Sequence, residues 1–248
     1  MTASLRLRRW GRVGITAVAL VVVQTVVFGL AALPPVLLGW LALHSLTPAF
    51  VRLAIAALLA MPLYVAFALL LLVISPLANR LTGAYTPPGL RTRIADLEWP
   101  LLRWARYVAA GHLVRVVAGT LFQGSPVWTF YLRLNGAHVG RRVFVNSTTV
   151  SDHNLLEFGD DVVIGAAVHL SGHTVERGYL FTDPVRLADG VVIGVGAVMS
   201  IATTVGPRTQ IGALAFVPKH TSLAGDAVYV GIPAKRHDSR RVRSARMR

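Results

Sequence analysis

The 248-residue chain contains no cysteine. That excludes disulfides, thiolate metal sites and a cysteine nucleophile, and leaves redox compartment unreadable from cysteine usage. Acidic residues are scarce: 11 Asp and Glu stand against 25 Lys and Arg, a net charge of +14. Such an imbalance suggests an anionic partner, among lipid headgroups, nucleic acid or a phosphate-bearing cofactor. Only 15% of residues are charged and 54% are hydrophobic. A mean hydropathy of +0.58 is too apolar for an ordinary soluble domain.

The charges are missing in blocks. None occurs from Val13 to Leu43 or from Leu53 to Asn79. Both runs exceed the roughly 20 residues needed to cross a bilayer, and they read as two transmembrane helices in a hairpin. Pro34 and Pro35 predict that the first helix kinks or ends near them. A cleaved signal peptide is the competing reading of the first run, weakened by its length and by the second run. The N-terminal flank carries Arg6, Arg8, Arg9 and Arg12, whereas the hairpin loop carries only Arg52. Beyond the second run come Arg80, Arg91, Arg93, Arg103 and Arg106. The positive-inside rule then puts both ends, and all that follows residue 80, on the cytoplasmic side of the cytoplasmic membrane. Residues 95 to 123 read as an amphipathic helix at the inner interface, with Leu101, Trp104, Val108, Leu113, Val116 and Val117 as its apolar face. A helix packed on the domain behind it is the alternative.

The second half is a repeat. Leu187, Ile193, Met199, Val205, Ile211, Val217 and Leu223 fall six residues apart without a slip. Each is followed by a small residue or proline: Ala188, Gly194, Ser200, Gly206, Gly212, Pro218 and Ala224. The same phase holds upstream at Phe158, Ile164 and Leu170. Six residues make a short strand and a corner, and three such units make one triangular coil of 18 residues. The aliphatic anchor points inward and stacks on its counterpart one coil away. The small residue after it turns the corner, where a side chain would crowd or a positive φ is needed. Stacked parallel strands of this kind bury an aliphatic column without any helix.

The phase breaks between Leu170 and Leu187, in "HLSGHTVERGYLFTDPVRL". Residues 171 to 186 therefore read as an extruded loop or an irregular coil, and long loops in solenoids often carry function.

The [LIV]-G-x4 pattern, the segment "VVIGVGAVM" and the ending "VYVGIPAKR" resemble the hexapeptide-repeat acyltransferases, over about residues 137 to 236. That resemblance implies a left-handed parallel β-helix, a homotrimer, and acetyl-CoA or another acyl thioester as donor, with no metal. More loosely, the apolar spans followed by "WTFYLRLNGAHVGRRVFV" and "LLEFGDDVVIG" are similar to the membrane-bound acetyltransferase-like domains of poly-amino-acid synthetases such as poly-lysine synthetase. In the acyltransferases a loop at the break carries the catalytic histidine, and the matching residue is His173 in "SGHT". A neutral imidazole can take the acceptor's proton near pH 7, and backbone N–H groups at tight corners can meet the oxyanion. A carboxylate should orient the ring. Glu176 is nearest in sequence, with Asp183 and Asp152 as rivals. His169 should point outward from its strand, and His153 could lie beside the cleft. The resemblance also implies pantetheine contacts at Ala197 and Ala213, and Lys219 and Lys235 near the donor phosphates. Leu214 and Pro218 depart from the family pattern. They leave room for a carrier-protein thioester instead of free coenzyme A.

The resulting expectation has five parts: a basic N-terminus (1–12), two spans (13–80), a linker with an interfacial helix (81–136), a β-helix domain (137–236) and a basic disordered tail (237–248). The tail, with seven basic residues against one acid from Lys235 on, should be drawn to inner-leaflet anionic lipid rather than nucleic acid. The expected activity is acyl transfer, probed against three alternatives: aminoacyl transfer from a carrier-protein thioester with a partner synthetase, a non-catalytic β-helix scaffold, and a metal enzyme using His153, His169 and His173.

Overall fold

A computed structural model describes residues 3–44 and 48–237. Most of the basic tail, from residue 238 on, lies outside the described residues. Helices α1 (Ala3–His44) and α2 (Ala49–Leu81) pack as an antiparallel pair, with Phe28 against Phe67 at 6.1 Å between ring centroids. Both are long and apolar enough to cross a membrane. α1 runs unbroken through Pro34 and Pro35, where a kink or an end was expected. Each proline removes one backbone donor, but the long helix on the N-terminal side makes continuation easier than a new start.

The hairpin is not uniform along its length. Val27 and Ala31 of α1, with Ala68, Leu71 and Leu72 of α2, are buried and belong to the same core as the repeat half. Toward the loop the side chains turn outward and apolar, among them Val36, Leu38, Trp40 and Leu41 on α1 and Phe50, Leu53 and Leu58 on α2.

α3 (Trp99–Val114) follows, then a π turn over Arg115–Gly119, a single helical turn α4 (Thr120–Phe122) and α5 (Pro126–Leu134). Pro100 stands in the first turn of α3, where its missing N–H costs nothing. The buried residues of α3 are Leu101, Leu102, Tyr107, Ala110 and Val114. That corrects the expected apolar face: Leu113 and Val116 are exposed, while Trp104 faces the repeat half. The helix packs between the hairpin and the domain instead of offering one continuous face outward. At the π turn, Gly119 lies so close to Trp128 that a Cβ would stand 3.2 Å from the indole ring. The wide turn accommodates that buried indole, whose Nε1 donates to the Ser147 carbonyl at 3.0 Å.

The repeat half is a parallel β-helix. One face stacks His138–Val139, Leu156–Phe158, Val185–Leu187, Thr204–Val205 and Ser222–Leu223. A second stacks Phe144–Val145, Val163–Ile164, Val192–Ile193, Gln210–Ile211 and Val228–Val230. The third has His169–Leu170, Val198–Met199 and Phe216–Val217. The registers pair anchors as the period of six demands: Ile193 with Ile164 and Ile211, Met199 with Leu170 and Val217. These side chains are almost wholly buried, and each contributes about 1.5–3 kcal/mol of hydrophobic stabilisation.

The corners differ from the sequence expectation in one respect. The positive φ does not fall on the small residue after the anchor. It falls two residues later, at Gly190, Gly196, Ala202, Arg208, Leu214, His220 and Asp226. The small residue serves packing between coils instead. A Cβ on Gly194 would stand 2.5 Å from the Ala213 nitrogen, and one on Gly206 would stand 2.4 Å from the Gly225 nitrogen.

The break is not an irregular coil either. His173–Glu176 and Tyr179–Thr182 form an antiparallel hairpin, turned at Arg177 and Gly178 with φ of 49° and 79°. Two successive positive φ values match the twist of a tight hairpin. Arg91–Arg93, from the segment after α2, adds a third strand beside Tyr179–Phe181. The interruption of the repeat is thus tied to the helical half.

Candidate active site

Asp152 sits on the last turn before the second coil, in a left-handed conformation with φ of 52°. Its side chain is fully buried, and every hydrogen bond around it converges on the carboxylate. Oδ1 accepts from Thr86 Oγ1 at 2.7 Å and Trp104 Nε1 at 3.2 Å. Oδ2 accepts from Ser151 Oγ at 3.1 Å, Ser171 Oγ at 3.3 Å and His173 Nδ1 at 2.5 Å. Burial by itself raises this carboxyl's pKa; the hydrogen bond and charge of His173, with the bonds from Thr86 and Ser151, outweigh it and hold the pKa below the ordinary value.

His173 opens the hairpin directly after the Leu170 anchor. With Nδ1 on Asp152, its Nε2 has no partner among the described residues, and the side chain is 24% exposed. The Trp104 ring stands edge-on to the imidazole at 4.9 Å. A carboxylate on Nδ1 fixes Nδ1–H and leaves Nε2 as a proton acceptor. This is the arrangement a general base needs.

Glu176 does not orient this ring. It lies at the turn end of the strand that His173 begins, and its carboxylate is paired with Lys219. Asp152, one of the rivals, takes the place expected of Glu176, because the 18-residue coil brings residues 152 and 170 to the same corner. Lys219 is exposed beside the hairpin, and Lys235 lies on the short strand Lys235–Arg236 that closes the last coil. Ala213 is exposed at a corner, beside Leu214, which is 70% exposed. Ala197 differs from the expectation: it points inward, fully buried, and its N–H is already bonded to the Gly194 carbonyl at 3.2 Å. That amide is therefore not offered to a ligand.

The other histidines divide. His153 is buried, with Nδ1 against Tyr107 Oη at 3.2 Å and Nε2 against the Val150 carbonyl at 3.1 Å. Burial pushes its pKa down to about 4, so it is neutral near pH 7 with both nitrogens occupied. His169 faces outward on its strand, lowered in pKa first by burial and then by the charges of His173 and Arg115. Among the described residues no three His, Asp or Glu side chains form a group that could hold a metal ion.

Thr86 and Trp104 were not found by sequence reasoning as site residues. They reach Asp152 from 66 and 48 residues away, with no motif to link them.

No known family model matches the chain. Among curated proteins it is 30% identical over 106 residues to galactoside O-acetyltransferase of Escherichia coli, covering 40% of this chain and 51% of that one. It is 27% identical over 141 residues to delta-poly-L-ornithine synthetase of Acinetobacter baumannii, covering 56% of this chain and 11% of that one. A solved hexapeptide-repeat acetyltransferase from Vibrio cholerae, complexed with acetyl coenzyme A, aligns over 45% of this chain and 75% of its own at 20% identity and a TM-score of 0.38. The repeat half is of the hexapeptide-repeat acetyltransferase superfamily. The chain spans about half or less of the length of these two curated relatives, and α1 has no counterpart in the repeat pattern that identifies the superfamily.

Proposed function

We propose that the protein transfers an acyl group, acetyl in the first instance, from a thioester donor to a hydroxyl or amine acceptor, with His173 as general base and Asp152 as its positioning residue. The observation that carries this reading is the 2.5 Å contact between His173 Nδ1 and a buried carboxylate, at the one break in the repeat, with Nε2 left unpartnered among the described residues. In the reaction, the acceptor's O–H or N–H proton passes to Nε2 as the acceptor atom attacks the thioester carbonyl. The tetrahedral oxyanion collapses, the carbon–sulfur bond breaks, and the imidazolium returns the proton to the departing thiolate. No covalent enzyme intermediate is required. Acetyl-CoA is the first choice of donor, with Ala213, Lys219 and Lys235 as candidate contacts.

The further parts of the reading are a left-handed coil, a homotrimer, and anchoring of α1 and α2 in the cytoplasmic membrane with the β-helix on the inner side. The length and composition of the two helices support the anchoring. Aminoacyl transfer from a carrier-protein thioester is a second reading, favoured by the likeness to the poly-ornithine synthetase and by Leu214 standing exposed at the donor-side corner.

The test is thiol release from acetyl-CoA by the purified, detergent-solubilised chain, with hydroxyl and amine acceptors, for wild type and His173→Ala. Turnover that vanishes in the variant supports the assignment. Turnover that persists removes His173 from the chemistry. If neither protein binds or consumes acetyl-CoA, a carrier-bound donor or a scaffold role takes its place.

A further inference from the structure

Trp104, Val108, Gly111, His112 and Arg115 recur at helical spacing along one side of α3. Trp104 ends this stripe at Asp152 and His173. Past it, a narrow cleft is lined by Val108, Gly111, His112, Arg115, Ser151 and Asp152. The cleft thus leads from the carboxylate that holds His173 to a cation at the start of the π turn. Trp104 and Arg115 are eleven residues apart, about 16 Å along the helix.

Arg115 has an unusual set of partners. Nη1 reaches the Thr148 carbonyl at 3.4 Å, and Nη2 meets His112 Nδ1 at 2.9 Å. It has no carboxylate partner among the described residues, whereas Arg9, Arg141, Arg142, Arg186 and Arg208 each pair with one. A half-buried guanidinium without a counter-ion is unfavourable unless an anion joins it. Its field already reaches inward, lowering the pKa of both His153 and His169. His112 is exposed at the same place. With its Nδ1 accepting from Arg115, it keeps an Nε2–H donor for a second bond. A planar fork with a neighbouring N–H donor is suited to a phosphate.

The surroundings are apolar. Leu113, Val116 and Leu121 are exposed on either side of Arg115. Tyr64, in the middle of α2, donates its hydroxyl to the Val117 carbonyl and fixes the π turn to the hairpin. A phosphate at Arg115 would therefore have the apolar hairpin beside it and the His173 cleft ahead of it.

Building on the acyl-transfer reading, we propose that Arg115 and His112 form a subsite for a phosphate carried by the acceptor, and that this acceptor is an amphiphile whose lipid tail lies along the hairpin while its head group reaches His173. The chemistry recognised is the phosphate. A lipid phosphate and a free one are separated by experiment.

Dodecyl phosphate and inorganic phosphate are titrated by calorimetry into the full chain in neutral detergent, for wild type, Arg115→Gln, His112→Ala and His173→Ala. Wild type should bind dodecyl phosphate saturably, at least ten-fold more tightly than inorganic phosphate. Arg115→Gln should weaken both at least ten-fold. His112→Ala, a change at an exposed side chain, should weaken them about three-fold, and it decides the matter if Arg115→Gln does not fold. His173→Ala should bind as wild type does. Unchanged affinity in Arg115→Gln, or in His112→Ala where the former does not fold, overturns the subsite and moves the anion to another cationic patch such as the start of α1. Absence of saturable binding by wild type also overturns it. Equal affinity for the two phosphates overturns the lipid source. Because binding is read without turnover, failure of the phosphate site and failure of the acyl-transfer reading are distinguishable.

Discussion

The two halves of the molecule build their cores in opposite ways. In the repeat half, position decides everything: a residue at the anchor phase is buried, from Phe158 to Leu223, whatever its neighbours in sequence. In the helical half, partners decide. Val27 is buried and Val26 is 53% exposed, within one uniformly apolar helix, because only one side of that turn meets α2 and the domain. Periodicity is therefore a reliable guide to burial only where the chain packs on copies of its own pattern. The candidate site lies where the two logics meet. The β-helix supplies Asp152 and His173 at one corner, and the helical half supplies Thr86 and Trp104 to hold the carboxylate.

That contrast can be broken at the site first. Asp152→Asn keeps the shape of the side chain but loses the charge that stabilises a protonated His173. Thiol-release kcat should fall about 10²- to 10⁴-fold, with a smaller effect on donor KM. A loss under ten-fold would leave the helical half with no part in positioning the base. The repeat half is tested by Met199→Ala, which removes a fully buried anchor. It should cost about 2–5 kcal/mol, seen as a lower thermal midpoint. The equivalent change at Val26 of α1, 53% exposed, should move the midpoint of the detergent-solubilised protein far less.

His153 adds a test that depends on pH. Its folded pKa is about 4, below the unfolded value of about 6.5. Above pH 6.5 neither state is protonated there and the full stability is present. As pH falls from about 6.5 to 4, only the unfolded chain takes up the proton, so stability declines by about 1.4 kcal/mol per unit, to a total of about 3 kcal/mol. His153→Gln should flatten that part of the thermal-midpoint profile. A slope unchanged by the substitution would assign the acid sensitivity to other groups.

What could be read in advance follows from the same contrast. The coil of 18 residues, the inward anchors and the place of His173 were all legible, since each is set by local phase. Asp152 was legible only as one of three carboxylates, because choosing it requires knowing that the break folds as a hairpin that carries Glu176 away toward Lys219. The hairpin itself was missed. Its turn residues, Arg177 and Gly178, are a weaker signal than Asn-Gly, and its third strand comes from Arg91–Arg93, outside the repeat. Thr86, Trp104 and Arg115 gave no signal at all. Each reaches the site from a segment whose pattern speaks only of helix or loop.

The smallest expected effect sharpens the donor side of the comparison. Lys219 and Glu176 are paired but remain 43% and 42% exposed. Solvent and salt screen such a pair, so Lys219→Gln should change stability by no more than about 1 kcal/mol. If Lys219 also meets a donor phosphate, the substitution should raise the KM for acetyl-CoA several-fold while leaving kcat and the thermal midpoint nearly unchanged. Raising ionic strength should have the same effect on the wild-type KM and little effect on the variant. A KM that does not move would confine Lys219 to holding the hairpin tip through Glu176. The donor's charged end would then have to be sought at Lys235, or the donor would be one whose phosphate lies on a carrier protein.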